Sequence, residues 1–266
     1  MTHDLQRYTE SNRAAWNEAM PYHQRAAKDK WDGRFAMPGY SCLAENELEE
    51  WQRFGLTGKA VAHLCCNNGV ELMSLKNLGA GECVGFDISD AAILEAQERA
   101  ALCNLDCRFV RTDVYAIDRQ WDGRFDVVYI TIGALGWLPD LARLFARAAM
   151  LLKEGGGVFI HEIHPLAEIL PDDGKQEADP LRINDPYFKA EPWVDYGDLD
   201  YVGGVHYDSV LPQYGFAHPL SDVIMALIGS GLVVERFVEY DIDTSAGHKR
   251  QEGKGLPLSY ILVARR

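Results

Sequence analysis

The run Lys59-Ala-Val-Ala-His-Leu-Cys-Cys-Asn-Asn-Gly69-Val-Glu-Leu72, followed by Val84-Gly-Phe-Asp87-Ile-Ser89, limits the possible folds more than any other stretch of this chain. An apolar segment of strand length enters a tight turn that opens a helix. A second apolar segment then ends on a carboxylate. The helix N-terminus would offer unpaired N–H groups to an anion, and a carboxylate about twenty residues further on can take both hydroxyls of a ribose. This layout suits a nucleoside. It is common to proteins that bind dinucleotides and to those that bind S-adenosylmethionine (SAM), so the rest of the chain must separate the two.

Beyond this unit, short apolar runs and helical patterns alternate. Strands are expected at 60–64, 83–86, 107–110, 126–130, 158–163, 233–238 and 259–263, and helices at 70–78, 90–103 and 138–152. Apolar strands separated by helices imply a parallel sheet with right-handed crossovers. Between the last two strands the sequence is rich in Gly, Pro and charge, without a helical period. The chain therefore reverses there, and the final strand should run antiparallel. That ending is not the dinucleotide-binding pattern.

Upstream, residues 3–30 read as a polar helix dotted with aromatic residues, and an acidic helix spans 44–54. Residues 166–218 break the rhythm with Tyr187, Phe188, Trp193, Tyr196, Tyr201, Tyr207, Tyr214 and Phe216 among many acidic residues. They read as an insertion with short strands that lies as a lid over the carboxyl edge of the sheet. The expected division is an N-terminal helical cover at 1–43, a core at 44–165, the inserted lid at 166–218 and the end of the core sheet at 219–266.

With 266 residues, 47% of them hydrophobic, the chain can bury one large core. Its formal charge of −14, with no cluster of Lys and Arg, argues against a nucleic-acid partner. The six cysteines form no CxxC pair, so they read as reduced, packed thiols and no metal site is expected. The polar N-terminus and the lack of a long apolar run point to a cytoplasmic protein with no membrane partner.

With both strand ends and the antiparallel finish in view, residues 44–266 resemble the class I SAM-dependent methyltransferases. His63-Leu-Cys-Cys-Asn-Asn-Gly69 lies where that family has an acidic residue, Leu, and three glycines at alternate positions. Gly85-Phe-Asp87-Ile-Ser89 resembles its ribose-binding strand end, and Thr112-Asp113-Val114 the strand end that meets adenine. Phe125-Asp126-Val127-Val128 resembles its fourth strand, and Leu152-Lys-Glu-Gly155-Gly156-Gly157 the turn into the fifth. The start His63-Leu64 and the pair His164-Pro165 resemble a bacterial branch acting on small molecules, secondary metabolites included.

The resemblance implies a doubly wound, seven-stranded, mostly parallel Rossmann-like sheet and SAM as cofactor, with S-adenosylhomocysteine (SAH) as product. It places Cys65, Asn67 and Gly69 along the methionine moiety, Asp87 and Ile88 at the ribose, Asp113 and Val114 at adenine, and Thr131 at the fourth strand end. The departures are His63 for the acidic residue and Cys65 and Asn67 for two glycines. Loop carbonyls, Glu71 or an N-terminal side chain must then hold the SAM ammonium. That altered loop keeps open a module that binds SAM or SAH without catalysis, and a nicotinamide-dependent oxidoreductase is the enzyme alternative.

Methyl transfer from a sulfonium is an in-line displacement, so the protein must align the acceptor and exclude water. A hydroxyl or protonated amine benefits from a base, for which His is suited. His164 is the expected base because Pro165 redirects the chain there, with Tyr22 and His23 as further catalytic candidates. Tyr8, Trp16, Trp137 and His161 are the expected substrate contacts. The acidic insertion favours a nitrogen acceptor over oxygen in a small molecule, and the protein is expected to act as a monomer or homodimer.

Overall fold

The seven apolar runs become the seven strands of one sheet, and the insertion adds two more. They are β1 (Val61–Leu64), β2 (Cys83–Asp87), β3 (Arg108–Arg111), β4 (Phe125–Thr131), β5 (Leu152–Ile163), β6 (Trp193–Tyr196), β7 (Pro212–Gly215), β8 (Val233–Tyr240) and β9 (Ser259–Arg265). This computed structural model describes residues 2–31, 33–174, 178–197, 199 and 207–266; Tyr201 of the insertion lies outside the described residues. The sheet order is β3-β2-β1-β4-β5-β9-β8. Neighbours from β3 to β5 pair in parallel, and β9 runs antiparallel to both β5 and β8. The mostly parallel, doubly wound sheet with an antiparallel last strand is thus present.

Among the described residues six α-helices accompany it: α1 (Thr2–Trp31), α2 (Glu45–Phe54), α3 (Val70–Asn77), α4 (Asp90–Leu102), α5 (Leu141–Leu151) and α6 (Leu220–Gly229). The central strands are buried on both faces, which is why they read as unbroken apolar runs. On one face Val128, Ile130 and Ile160 meet Leu144, Phe145 and Ala148 of α5 and Val223 and Leu227 of α6. On the other, Tyr129 and Phe159 meet α2, where Trp51 stacks on Phe159 with ring centroids 4.0 Å apart.

Two differences from the sequence reading have local causes. Helix α6 is almost wholly apolar, so no polar face marks its period. Strand β5 begins at Leu152, six residues before the expected start at 158, because Leu152 already pairs with Phe125 before a register shift.

Helix α1 ties the insertion to the core. Buried Asn12, Ala15, Ala19, Met20, His23 and Ala27 recur at helical spacing and form its inner stripe. The Asn12 amide accepts from the Tyr214 N–H at 2.8 Å and donates to the Tyr214 carbonyl at 2.9 Å, mimicking a strand partner for β7. One turn on, Asn17 Nδ2 donates to Asp90, and its Oδ1 accepts from Ser89 Oγ at 2.7 Å at the start of α4.

Candidate active site

The turn from β1 into α3 keeps the conformation that glycines normally supply. Cys65 (φ 54°), Asn67 (φ 46°) and Gly69 (φ 76°) all lie in the left-handed region. Asn tolerates that region, and Cys65 is small. Gly69 has no substitute: a Cβ there would fall 2.5 Å from the Phe109 ring. The same ring closes over Gly85, where a Cβ would meet it at 2.7 Å. Phe109 of β3 thus locks the turn against β2.

This backbone aims the Asn67 N–H at Asp87. Asp87 Oδ2 accepts from it at 2.8 Å, while Oδ1 accepts from the Ser89 N–H at 2.8 Å. Burial pushes the Asp87 carboxyl upward, and the N–H donors of Ser89, Asn67 and Ile88 oppose the shift. Ser89 is the N-cap of α4, accepting from the Ala92 N–H at 3.1 Å. Asp87 is therefore not the helix cap, and its carboxylate stands at the strand end. Half-buried Ile88 follows it. The Thr112 N–H donates to the Asp87 carbonyl at 2.8 Å, bringing the end of β3 alongside. There Asp113 accepts from the Tyr115 N–H at 2.9 Å, and the Val114 side chain is buried in the core.

The loop rests on a buried ion pair that sequence reading missed. Arg99 Nη2 donates to Glu95 at 2.6 Å and Nη1 to the Asn68 carbonyl at 3.2 Å, with both side chains almost wholly buried. Their i, i+4 spacing on α4 was visible, but not their burial.

His63 replaces the usual acidic residue without replacing its charge. It is fully buried, burial lowers its pKa to about 3, and its ring is therefore neutral. Its Nε2 bonds Thr131 Oγ1 at 2.9 Å, joining the ends of β1 and β4. Glu71, in the first turn of α3, is lifted to about 7 chiefly by burial. The Cys65 and Cys66 thiols are pushed well up by burial and stay protonated, which suits packing rather than nucleophilic chemistry. The left-handed turn and the strand-end carboxylate together fit an adenosyl group; the ammonium partner is the element the structure alters.

At the neighbouring strand ends, several expected roles change. His164 Nδ1 accepts from the Leu166 N–H at 3.0 Å, and its Nε2–H donates to Glu239 at 3.0 Å. Burial lowers its pKa against the pull of Glu239. With both nitrogens taken, His164 secures the turn after β5 and has no lone pair for a general base. His161 is fully buried, and its Nδ1 bonds Glu47 of α2 at 2.9 Å. It is a link between sheet and helix rather than a substrate contact, because the ring lies under α2.

The aromatic candidates do assemble. Trp16 packs edge-on to Trp137 with centroids 5.4 Å apart, and His23 lies 6.2 Å from Trp16. His23 is buried with Nε2 against the Leu199 carbonyl. Tyr22 stacks on Tyr207 at 4.5 Å, facing the insertion. Tyr8 packs between Tyr214 and Phe216 at 4.8 and 5.2 Å. The loop after β4 that carries Trp137 is itself held by Glu162, whose Oε2 accepts from the Leu135 N–H at 3.0 Å. Glu162 Oε1 accepts from Ile163 N–H at 2.8 Å and from the Gly133 N–H. Its loop donors at Leu135 and Gly133 lie 27 and 29 residues away.

Among the described residues no group of three or more side chains could hold a metal, and no helix is long and apolar enough to cross a membrane.

Residues 61–156 match the family described as a methyltransferase domain. That stretch runs from β1 into β5 and contains the β1–α3 turn and the end of β2, so this part of the chain is similar to methyltransferase domains. Among curated relatives, phthiotriol/phenolphthiotriol dimycocerosates methyltransferase 1 of Mycobacterium ulcerans is 30% identical over 128 residues, covering 48% of this chain and 46% of that protein. The chain thus spans less than half the length of the curated relatives it matches. Among solved structures, an S-adenosylmethionine dependent methyltransferase from Mesorhizobium loti superposes with a TM-score of 0.56 at 20% identity, over 83% of this chain and 97% of its own. The [4+2]-cyclase SpnF superposes with a TM-score of 0.60 at 15% identity, over 96% of each chain. Likeness at such low identity describes the fold, on which different reactions can be built.

Proposed function

We propose that this protein transfers the methyl group of SAM to a nitrogen, or second to it an oxygen, of a small molecule, a natural-product intermediate included. It would act in the cytoplasm as a monomer or homodimer. The observation that carries this reading is the left-handed turn at Cys65, Asn67 and Gly69, which delivers the Asn67 N–H to the Asp87 carboxylate.

When bound, SAM supplies a methyl group already activated by its sulfonium. Each Asp87 oxygen can accept from one ribose hydroxyl beside the backbone N–H it already holds. Asp113 and Val114 flank the adenine, and the backbone at 65–69 runs along the methionine moiety. Glu71 is the carboxyl offered to the ammonium in place of the family's acidic residue. Glu162 keeps the loop after β4 fixed, so an acceptor placed against it meets a preset geometry. Trp16 of α1, lying on Trp137, keeps water from that space. With His164 fully bonded, an alcohol that needs a strong base is served less well than an amine that needs only to be neutral.

Calorimetric titration with SAM, SAH and NAD tests this reading. SAM and SAH are expected to bind and NAD to leave no heat; binding of NAD alone would refute it. Replacing Asp87 by Ala should cost SAM about 2–3 kcal/mol of affinity, the worth of hydrogen bonds to a charged group.

A further inference from the structure

Behind the loop after β4 lies a small, half-open cavity of about 20 Å³, where β5, β9, α6 and the end of the insertion meet. Its walls include Leu135, Phe216 and Tyr260 and two carboxylates, Glu162 and Glu168, and no lysine or arginine among the described residues lines it.

The two carboxylates are not equivalent. Glu162 is occupied by backbone N–H donors, as described above. Glu168 stands in the 3-10 turn Ala167–Ile169 with Oε1 facing Gly136 across the cavity, 3.8 Å from where a Cβ would be. Among the described residues it has no hydrogen bond or ion pair. Burial and the charge of Glu162 lift its pKa to about 8, and burial lifts Glu162 to about 7. Glu168 is half-buried, and a carboxylate held there beside a second acid meets repulsion that no neighbouring donor offsets among the described residues.

A cationic donor would relieve both terms at once. His218, which lines the same cavity, does not supply it: burial lowers its pKa, and its Nε2–H is spent on the Leu138 carbonyl at 2.8 Å. The described residues provide no metal-ligand set. Tyr260 and Phe216 also line the cavity, and aromatic rings are groups that attract an organic cation. The cavity is narrow, matching an –NH3⁺ group of about the size of a water molecule.

We propose that this cavity binds a primary ammonium group of the substrate, with Glu168 as its direct partner, Glu162 as the second charge, and Tyr260 and Phe216 as flanking rings. The word substrate here rests on the methyltransferase reading; the chemistry of the cavity does not. The proposal assigns the acidic balance of this edge of the molecule to recognition and narrows the substrate class to small amines.

The test titrates n-butylammonium and its neutral counterpart 1-butanol into the full chain, with and without SAH, by ligand-observed NMR and calorimetry. The wild-type protein should prefer the amine by at least about tenfold. Glu168→Gln, which keeps the shape and removes the charge, should abolish that preference without changing SAH affinity. Glu168→Asp should retain part of it, showing that the loss is one of charge. Equal binding of amine and alcohol by the wild type, or a preference that survives Glu168→Gln, overturns the proposal. A protein that discriminates the amine but binds no SAH leaves the cavity assignment standing and refutes the methyltransferase reading, so the two failures are distinct.

Discussion

The carboxyl edge of the sheet divides into two regions that meet their ligands by different means. At the ends of β1 and β2 the geometry is set by the main chain: residues 65, 67 and 69 are left-handed, the Gly69 N–H closes the turn on the Cys66 carbonyl, and Asp87 is braced by the N–H groups of Asn67 and Ser89. At the ends of β4 and β5, the backbone N–H groups of Gly133, Leu135 and Ile163 are consumed by Glu162, and Glu168 is left without a donor. The first region is complete in itself, stabilised by Phe109 over its glycines and by Arg99 beneath its carbonyl. The second holds two acids whose ionisation burial and mutual repulsion oppose. A cofactor shared by a whole class can be read by main-chain geometry, which changes slowly with sequence. A particular acceptor must be read by side chains, and these remain poorly satisfied until it arrives.

This contrast can be broken most forcefully from below. Arg99→Ala would leave Glu95 buried without its partner, and chemical denaturation should register a loss on the order of 3–5 kcal/mol, with SAM affinity falling in parallel. A loss below about 1 kcal/mol would mean that the donor side is not held by this pair. The next effect in size concerns the turn itself. Gly69→Ala drives a methyl into Phe109 at positive φ and should cost about 2–4 kcal/mol. At Asn67 the comparison is finer: Asn67→Gly should be nearly neutral, whereas Asn67→Ala should lose about 1–2 kcal/mol. If glycine and alanine behaved alike at 67, backbone conformation would not be what the turn conserves.

The remaining effect belongs to the acceptor side and appears as a pH dependence. Glu168 faces Glu162 from β5, Tyr260 from β9 and His218 ahead of α6, none of which is cationic there. The folded pKa values of Glu162 and Glu168, about 7 and about 8, lie above the ordinary value of 4.5. The folded state therefore holds more protons than the unfolded one in that window. Stability from these groups is present at low pH and is lost as pH rises through 7 and 8. Urea midpoints from about pH 5 to 8.5 should decline, and Glu168→Gln should flatten the decline. Amine binding should show the opposite slope, strengthening as the carboxylates ionise. A flat stability profile in the wild type would count against both shifts.

Much of the donor region was legible in the sequence because its determinants are neighbours along the chain. The turn and the carboxylate at Asp87 fall within about thirty residues of each other, in a unit with known geometry. The expected helix at 70–78 and strand at 83–86 differ from the observed elements by one residue each. The acceptor region was not legible in the same way. His164 looked like a free base beside a proline, yet its nitrogens are taken by Leu166 and by Glu239, the latter 75 residues away. His161 looked like a contact at the strand edge, yet Glu47, 114 residues away, takes it into the core. Glu168 gave no signal, being one acid among many in a charged stretch.

The sequence by itself therefore determined the alternation that builds the sheet, its antiparallel finish and the turn that reads the cofactor, because periodicity and turn chemistry are local properties of the chain. Tertiary structure alone decided which polar side chains are spent and which are left over. Pairs such as His161 with Glu47 and His164 with Glu239, and the isolation of Glu168, depend on strands and helices distant in sequence being packed together. Burial then sets the protonation and partner of each group, and that is where the choice of acceptor resides.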